Sequence, residues 1–319
     1  MTPPTNNGAA NLTLAAVTTH SDAPWHLLWR RFLQHRLAVV SLAVLISLTT
    51  LAILSPLFEA LLGFDVTAVD LMARLAPPSL SHPLGTDELG RDLFLRLLDG
   101  GRVSLLVGIF AALVAALIGT AVGLLAGYFG GKLDTMLMRL TDGVIALPLL
   151  PLLIVLAAVD LGKIGLPPAV VNDPDISLYR IVLIIALVGW TTVARLVRGA
   201  TLSLRERDFV LAAIAQGASS LRIMLVHILP NAVSPIVVAT TLSVGNVILL
   251  ESVLSFLGLG IQPPAASWGN MLTNAQETIW SAPMLAFWPG VLIFVTVIAF
   301  NFLGDGLQDA LDPRAQTNR

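Results

Sequence analysis

A chain of 319 residues that is 56% apolar and only 12% charged cannot clothe a water-facing surface, because soluble domains devote about 25% of their residues to charge. The surface that lacks charge is expected to face lipid. A net charge of −2 with no long basic run excludes nucleic acid as a partner, and the absence of cysteine excludes a disulfide framework and any thiolate metal site.

In chain order, residues 1–24 are rich in Thr, Asn, Ala and Pro and read as a flexible cytoplasmic tail, with no basic segment ahead of an apolar core to suggest a cleavable leader. Arg30, Arg31 and Arg36 then introduce an uncharged apolar stretch from Leu37 to Leu57. At about 1.5 Å per residue it is long enough to cross a hydrocarbon core of roughly 30 Å. Residues 25–57 therefore form the N-terminal region and first span, and 58–102 form an extracytoplasmic loop. Residues 103–304 are the core, with five further apolar stretches: Val103 to Gly127, Gly143 to Val159, Ile181 to Ala194, Ala232 to Leu250 and Pro283 to Leu303. Residues 305–319 complete the chain as a cytoplasmic tail. The expected fold class is all-α, a polytopic membrane protein of six transmembrane helices. The fourth stretch is the shortest, bracketed by Arg180 and Arg195, and reaches across only with snorkelling flanks; without it the count is five.

Orientation follows from the distribution of Lys and Arg. One side collects the arginines ahead of the first span, Lys132, Arg139, the five arginines from Arg195 to Arg222, and Arg314 and Arg319. The other holds Arg74, Arg91, Arg96, Arg102, Lys163 and Arg180. The ratio of two to one places both termini in the cytoplasm.

Helix breakers interrupt several spans, namely Pro148 and Pro151 in the third, Pro235 and Gly245 in the fifth, and Pro289 and Gly290 in the sixth. Such residues are tolerated where neighbours or a cavity re-satisfy the backbone. In the second span Gly108, Ala111, Ala112, Ala115, Ala116, Gly119 and Gly123 leave room for another helix to approach closely.

Glu251, in VILLESVLSFLGLG, is the one acid inside an apolar run. An acid at membrane depth is a functional candidate, while contact with interfacial water or a neighbouring helix is the plainer alternative. Ser243, Asn246 and Glu251 together are candidates for lining a translocation path, with Glu251 at its outer end. No catalytic set accompanies them. His20, His26, His35, His82 and His227 lack HExxH spacing. AGYFGGKL has Ala126 where a phosphate-binding loop needs its first glycine, and Leu133 where it needs Ser or Thr. The chain is expected to be no enzyme and to hold no metal or cofactor of its own.

Between the fourth and fifth spans lies the polar loop RGATLSLRERDFVLAAIAQGASSLRIMLVHILPN. Its pattern is helical, with Phe209, Ala212, Ala213 and Gln216 on one face and Gly217 offering a break. This loop resembles the EAA loop of ATP-binding-cassette (ABC) importer permeases: Leu211, Ala212 and Ala213, three residues, Gly217, nine residues, then His227, Ile228, Leu229 and Pro230. Leu211 and His227 depart from the Glu and Ile of that pattern. HPLGTDELGRDLFLRLLDGGRVSLLVG, LSFLGLGIQPPAASWGNML and FNFLGDGLQDALDPR resemble the C-type subunit of the dipeptide and oligopeptide permeases, so the likeness covers roughly residues 28–314.

The resemblance implies a type I ABC importer permease fold. It also implies a homologous B-type permease partner, two ATP-binding subunits that hold ATP and magnesium, and an extracytoplasmic peptide-binding protein, all at the bacterial inner membrane. The EAA loop, 202–230, would dock an ATPase through Asp208, Ala212, Ala213, Gly217, Ala218 and Ser219. Nickel, glutathione, antimicrobial peptides and opines travel through similar subunits. A membrane-embedded enzyme and a passive channel are alternatives of a different class, disfavoured by the missing catalytic set and by the long polar loop.

Overall fold

The computed structural model describes residues 24–311 apart from 64, 164, 166, 172, 174 and 274. Of the tails expected at 1–24 and 305–319, residues 1–23 and 312–319 lie outside the described residues, whereas 305–311 are not tail but the last two turns of the final helix, which runs to Leu311. Among the described residues the regular structure is helical, with one isolated β-bridge between Thr86 and Asp92.

Helices α1 (Pro24–Gln34) and α2 (Arg36–Ile53) meet at His35, whose Nδ1 accepts the N–H of Ala38 at 3.1 Å and caps α2. Leu54 then separates α2 from α3 (Ser55–Leu62), which ends on Gly63 in the left-handed conformation. The long α4 (Leu93–Phe129) begins ten residues before the expected span. Asp92 caps it, its Oδ1 accepting the N–H of Leu95 at 2.8 Å. At 37 residues α4 is about 55 Å long, so it projects well beyond a bilayer core of about 30 Å.

Gly130 and Gly131, both with positive φ, turn the chain into α5 (Gly131–Ala146). The third apolar stretch is not one straight helix: α5 and α6 (Leu149–Ala157) meet at 88°. The cause is local. Leu147 precedes a proline and is extended, and Pro148 has no N–H with which to continue the ladder. Six crossings are reached only if this bent pair counts as one; among the described residues five helices are long and apolar enough by themselves.

The short α7 (Pro168–Val171) leads to α8 (Ile176–Arg205), far longer than the apolar stretch from Ile181 to Ala194 suggested. Then come α9 (Asp208–Ala215), α10 (Ser220–Arg222), a π-helical segment Ile223–Ile228, and α11 (Leu229–Phe256). Finally α12 (Ala275–Thr278) precedes α13 (Met284–Leu311). Pro235 and Pro289 sit inside α11 and α13 without ending them.

The most extensive pairing is α4 with α8. Gly119, Gly123 and Gly127 stand one turn apart on α4 and face the carbonyl oxygens of Trp190, Ala194 and Arg198 on α8. A Cβ on any of the three would lie within 2.9 Å of backbone oxygen, so the small-residue stripe is what lets the two helices touch backbone to backbone. On the next side of α4, Gly108 packs against Ile248 of α11. At the far edge α13 packs on α2, where Gly306 meets Ala38.

Candidate functional site

Three regions carry polar chemistry. The first is the α8–α11 connection. Asp208 opens α9, where a carboxylate is favoured by the unpaired N–H groups of the first turn. The C-terminus of α9 is closed by a paired hydrogen-bond motif. Gly217, at φ +79°, donates its N–H to Ile214 O at 2.9 Å, and Ala218 donates to Ala213 O at 3.1 Å. The spacing from Ala213 to Gly217 is thus the spacing this cap requires, with glycine at its left-handed position.

Val210 and Ala213 are the buried residues of α9, and Val210 packs with Leu124, Val193, Val197, Ile223 and Ile228. Phe209, Ala212 and Gln216 stay exposed beside Leu211 and Ile214. The face expected from the sequence is therefore divided, with Ala213 turned inward and the other three outward. Ser219 is exposed and half-buried Ala218 joins the packed cluster.

The arginines around this region are anchored. Arg198 grips Asp134 of α5 with Nε at 2.5 Å and its second nitrogen at 2.6 Å. Arg195 reaches Asp142 at 2.6 Å, and Arg205 donates to Tyr128 O at 2.9 Å at the end of α4.

The second region is a cavity of about 270 Å³ at the α5–α6 elbow. Ser243 and Asn246 of α11 line it with Thr192 of α8 and with Leu147 and Leu149. Ser243 Oγ donates within its own helix to Ala239 O at 2.7 Å, whereas the exposed Asn246 amide has no partner among the described residues.

Glu251 is not in this wall. It is fully buried and forms the third region. Ser255 Oγ donates to its Oε1 at 2.7 Å and Ser104 Oγ, from α4, to its Oε2 at 3.2 Å. Each serine in turn accepts a backbone N–H, from Ile261 and Trp268 respectively, both at 3.1 Å. The acid thus gathers α4, α11 and the connecting segment 257–273 around one point. Trp268 reinforces it with an indole N–H donated to Leu97 O at 2.9 Å, and Asn270 braces the segment by donating to Ala265 O at 2.8 Å and accepting Ser267 N–H at 3.0 Å.

The segment HPLGTDELGRD is a similar knot that sequence reading registered only as a motif. Thr86 Oγ1 donates to Ala73 O and accepts the N–H of Ala76, His82 pairs with Asp92, and the Leu93 N–H reaches Gly85 O.

Residues 119–317 match the family described as binding-protein-dependent transport system inner membrane component, and residues 23–78 match the N-terminal transmembrane domain of oligopeptide transport permease C. The chain belongs to this permease family. Among its relatives, the dipeptide transport system permease protein DppC of Alkalihalophilus pseudofirmus is 39% identical over 99% of this chain and 97% of its own length. The oligopeptide transport system permease protein OppC of Bacillus subtilis is 38% identical, covering 93% and 92%. OppC of Escherichia coli is 42% identical, covering 91% of each. The permease is accordingly a transport subunit of an ABC importer and not an enzyme.

Proposed function

We propose that this permease forms half of the translocation pathway for di- and oligopeptides delivered by an extracytoplasmic binding protein. A B-type permease would form the other half, and two ATP-binding subunits holding ATP and magnesium would drive the cycle. The observation that carries the reading is near-full-length identity of 38–42% to dipeptide and oligopeptide permeases. ATP binding closes the ATPase pair, α9 passes that motion on, and the bundle exchanges inward-open for outward-open forms, which requires each ligand to bind the two forms unequally. The Asn246 amide and the Ser243 hydroxyl at the elbow cavity supply polar contacts along the path, and Glu251 shapes its outer end by holding the connecting segment in place. The complex purified from an inner membrane, with its binding protein and a tripeptide such as Ala-Ala-Ala, is expected to show peptide-stimulated ATP hydrolysis. Stimulation by nickel or glutathione and not by peptide would overturn the peptide assignment.

Docking of α9 on an ATPase gives a second expectation. Open space surrounds Gly217, so a larger side chain there meets no neighbour and acts only through the backbone. Gly217→Val would strain the left-handed cap by about 1–2 kcal/mol, whereas Asn tolerates that conformation. Membrane insertion should survive in both. Gly217→Val should hydrolyse ATP without matching uptake, with Gly217→Asn nearer the parent. Wild-type uptake by Gly217→Val would show that the cap does not position a docking helix.

Termini in the cytoplasm and residues 58–102 outside follow from the two-to-one charge distribution. Because the chain has no cysteine, Ser81→Cys, exposed in the structure, reports topology directly. An impermeant maleimide should label it from outside intact cells; labelling solely from the cytoplasmic face would invert the assignment.

A further inference from the structure

Beside the Glu251 network lies a cavity of about 450 Å³, within the range of roughly 300–1,000 Å³ typical of small-molecule sites. Its walls are the turn from Asp87 to Arg91, the first turn of α4 with Arg96, Ser255 at the end of α11, and part of the segment after it. The charges on the first two walls, Asp87, Glu88, Arg91 and Arg96, sum to zero, but their pairing is uneven. Asp87 is buried and its oxygens are committed. Oδ1 accepts the N–H groups of Leu89 at 2.8 Å and Arg91 at 3.0 Å, while Oδ2 takes the Arg91 side chain at 2.7 Å and Arg96 Nε at 3.3 Å. One carboxylate therefore serves two guanidinium groups. The Arg96 side chain is only 6% exposed, and its NH1 is buried with no hydrogen-bond partner. A buried cation with an unfilled donor is costly unless something supplies the acceptor. Asp99 adds a second, unbonded negative charge near Arg96, and on the same cavity Glu88 makes no ion pair among the described residues.

We propose that this cavity is a receiving site for a small zwitterion, in which Arg96 takes a free carboxylate and Glu88 a free ammonium. The ligand class is a short peptide with both ends unblocked, so the site deepens the peptide-transport reading and rests on it. Arg96 Nε is held by Asp87 and its NH1 is closed off from solvent, so a ligand carboxylate would meet the guanidinium through its remaining nitrogen, still a charge-assisted contact stronger than a neutral one. Asp87 is a positioning residue: it holds Arg91 and Arg96 and has no oxygen to spare for the ligand. Recognition would fall on the peptide ends and leave the side chains unread, which suits a pathway that passes many sequences.

The test uses the full complex with its permease and ATPase partners in lipid nanodiscs, without binding protein, and follows thermal stabilisation by Ala-Phe, its C-terminal amide and its N-acetyl form. Ala-Phe is expected to bind about tenfold or more tightly than either blocked form, as loss of one charge-assisted contact implies. Arg96→Gln should erase the difference between Ala-Phe and its amide, and Glu88→Gln the difference between Ala-Phe and its N-acetyl form, each leaving the other preference in place. Equal binding of all three peptides by the unaltered complex would overturn the site even if neither variant assembled. So would a carboxylate preference that persists in Arg96→Gln. No stabilisation by any peptide, with loss of the B-type permease from Arg96→Gln on purification, would assign the guanidinium to a protein carboxylate instead. Peptide-stimulated ATP hydrolysis with binding protein, measured in parallel, separates failure of this site from failure of the transport reading.

Discussion

Glu251→Lys is expected to abolish recovery of the assembled permease, while Glu251→Gln should assemble and retain much of the transport. The parent acid is fully buried and both of its oxygens accept hydroxyl hydrogens. A lysine ammonium donates only, so it would leave the Ser104 and Ser255 hydroxyl hydrogens without the acceptor that Glu251 supplies. It would also bring a cation into a site with no counter-ion. Breaking a buried polar arrangement this way costs about 3–5 kcal/mol, comparable to the whole stability of many domains. Glutamine keeps the shape and one acceptor oxygen, losing on the order of 1 kcal/mol for the contact it reverses. Yield of intact complex and peptide uptake, measured on both variants, check this. A well-assembled Gln variant without transport would mean that the carboxylate itself is needed for gating or for a substrate amine.

Gly123→Leu should be as damaging, for a steric reason. Even the first carbon of a side chain would stand 2.6 Å from Ala194 O, 2.7 Å from Val197 Cβ and 2.9 Å from Arg198 N. Two of those three are backbone atoms, so relief requires α4 and α8 to move apart, at a cost beyond the usual 1–3 kcal/mol or so of overpacking. Gly199→Leu, on α8 with open space around it, is the matched control and should assemble normally. Equal melting temperatures for the two complexes would show that α4 and α8 are not locked at Gly123.

Much of this was legible in the sequence because bilayer length and helix spacing impose strict counts. The small residues of the second span predicted a close helix neighbour, and α8 is that neighbour. The fourth span looked marginal because Arg180 and Arg195 bracket its apolar stretch, whereas the fold carries α8 on past Arg195, pairing that residue with Asp142 and, one turn on, Arg198 with Asp134. A cation whose partner lies on another helix is invisible to a window that slides along one. Pro148 announced a break, but not that α5 and α6 would meet at 88°. Glu251 stood out from its neighbours, yet its placement required Ser104, 147 positions away, and the turn holding Trp268. Arg96 was only a charge to be counted, since nothing local indicated that Asp87 would already be spoken for by Arg91.

The backbone contact along Gly119, Gly123 and Gly127 also has a mechanical side. Three successive turns of α4 bear directly on α8 with no flexible side chains between them, so the pair behaves as a single stiff beam. The beam is joined to α9 through the two residues Glu206 and Arg207. Were a partner to push on α9, the load would run up the beam with little lost to bending, toward the end where Ser104 meets Glu251. The elbow of α5 and α6 is joined to it at one end by the two ion pairs of Arg195 and Arg198, and a right-angled joint held by two pins is the compliant part of such a frame. Displacement delivered along the beam would therefore open or narrow the space beside Asn246 before it distorted the beam itself.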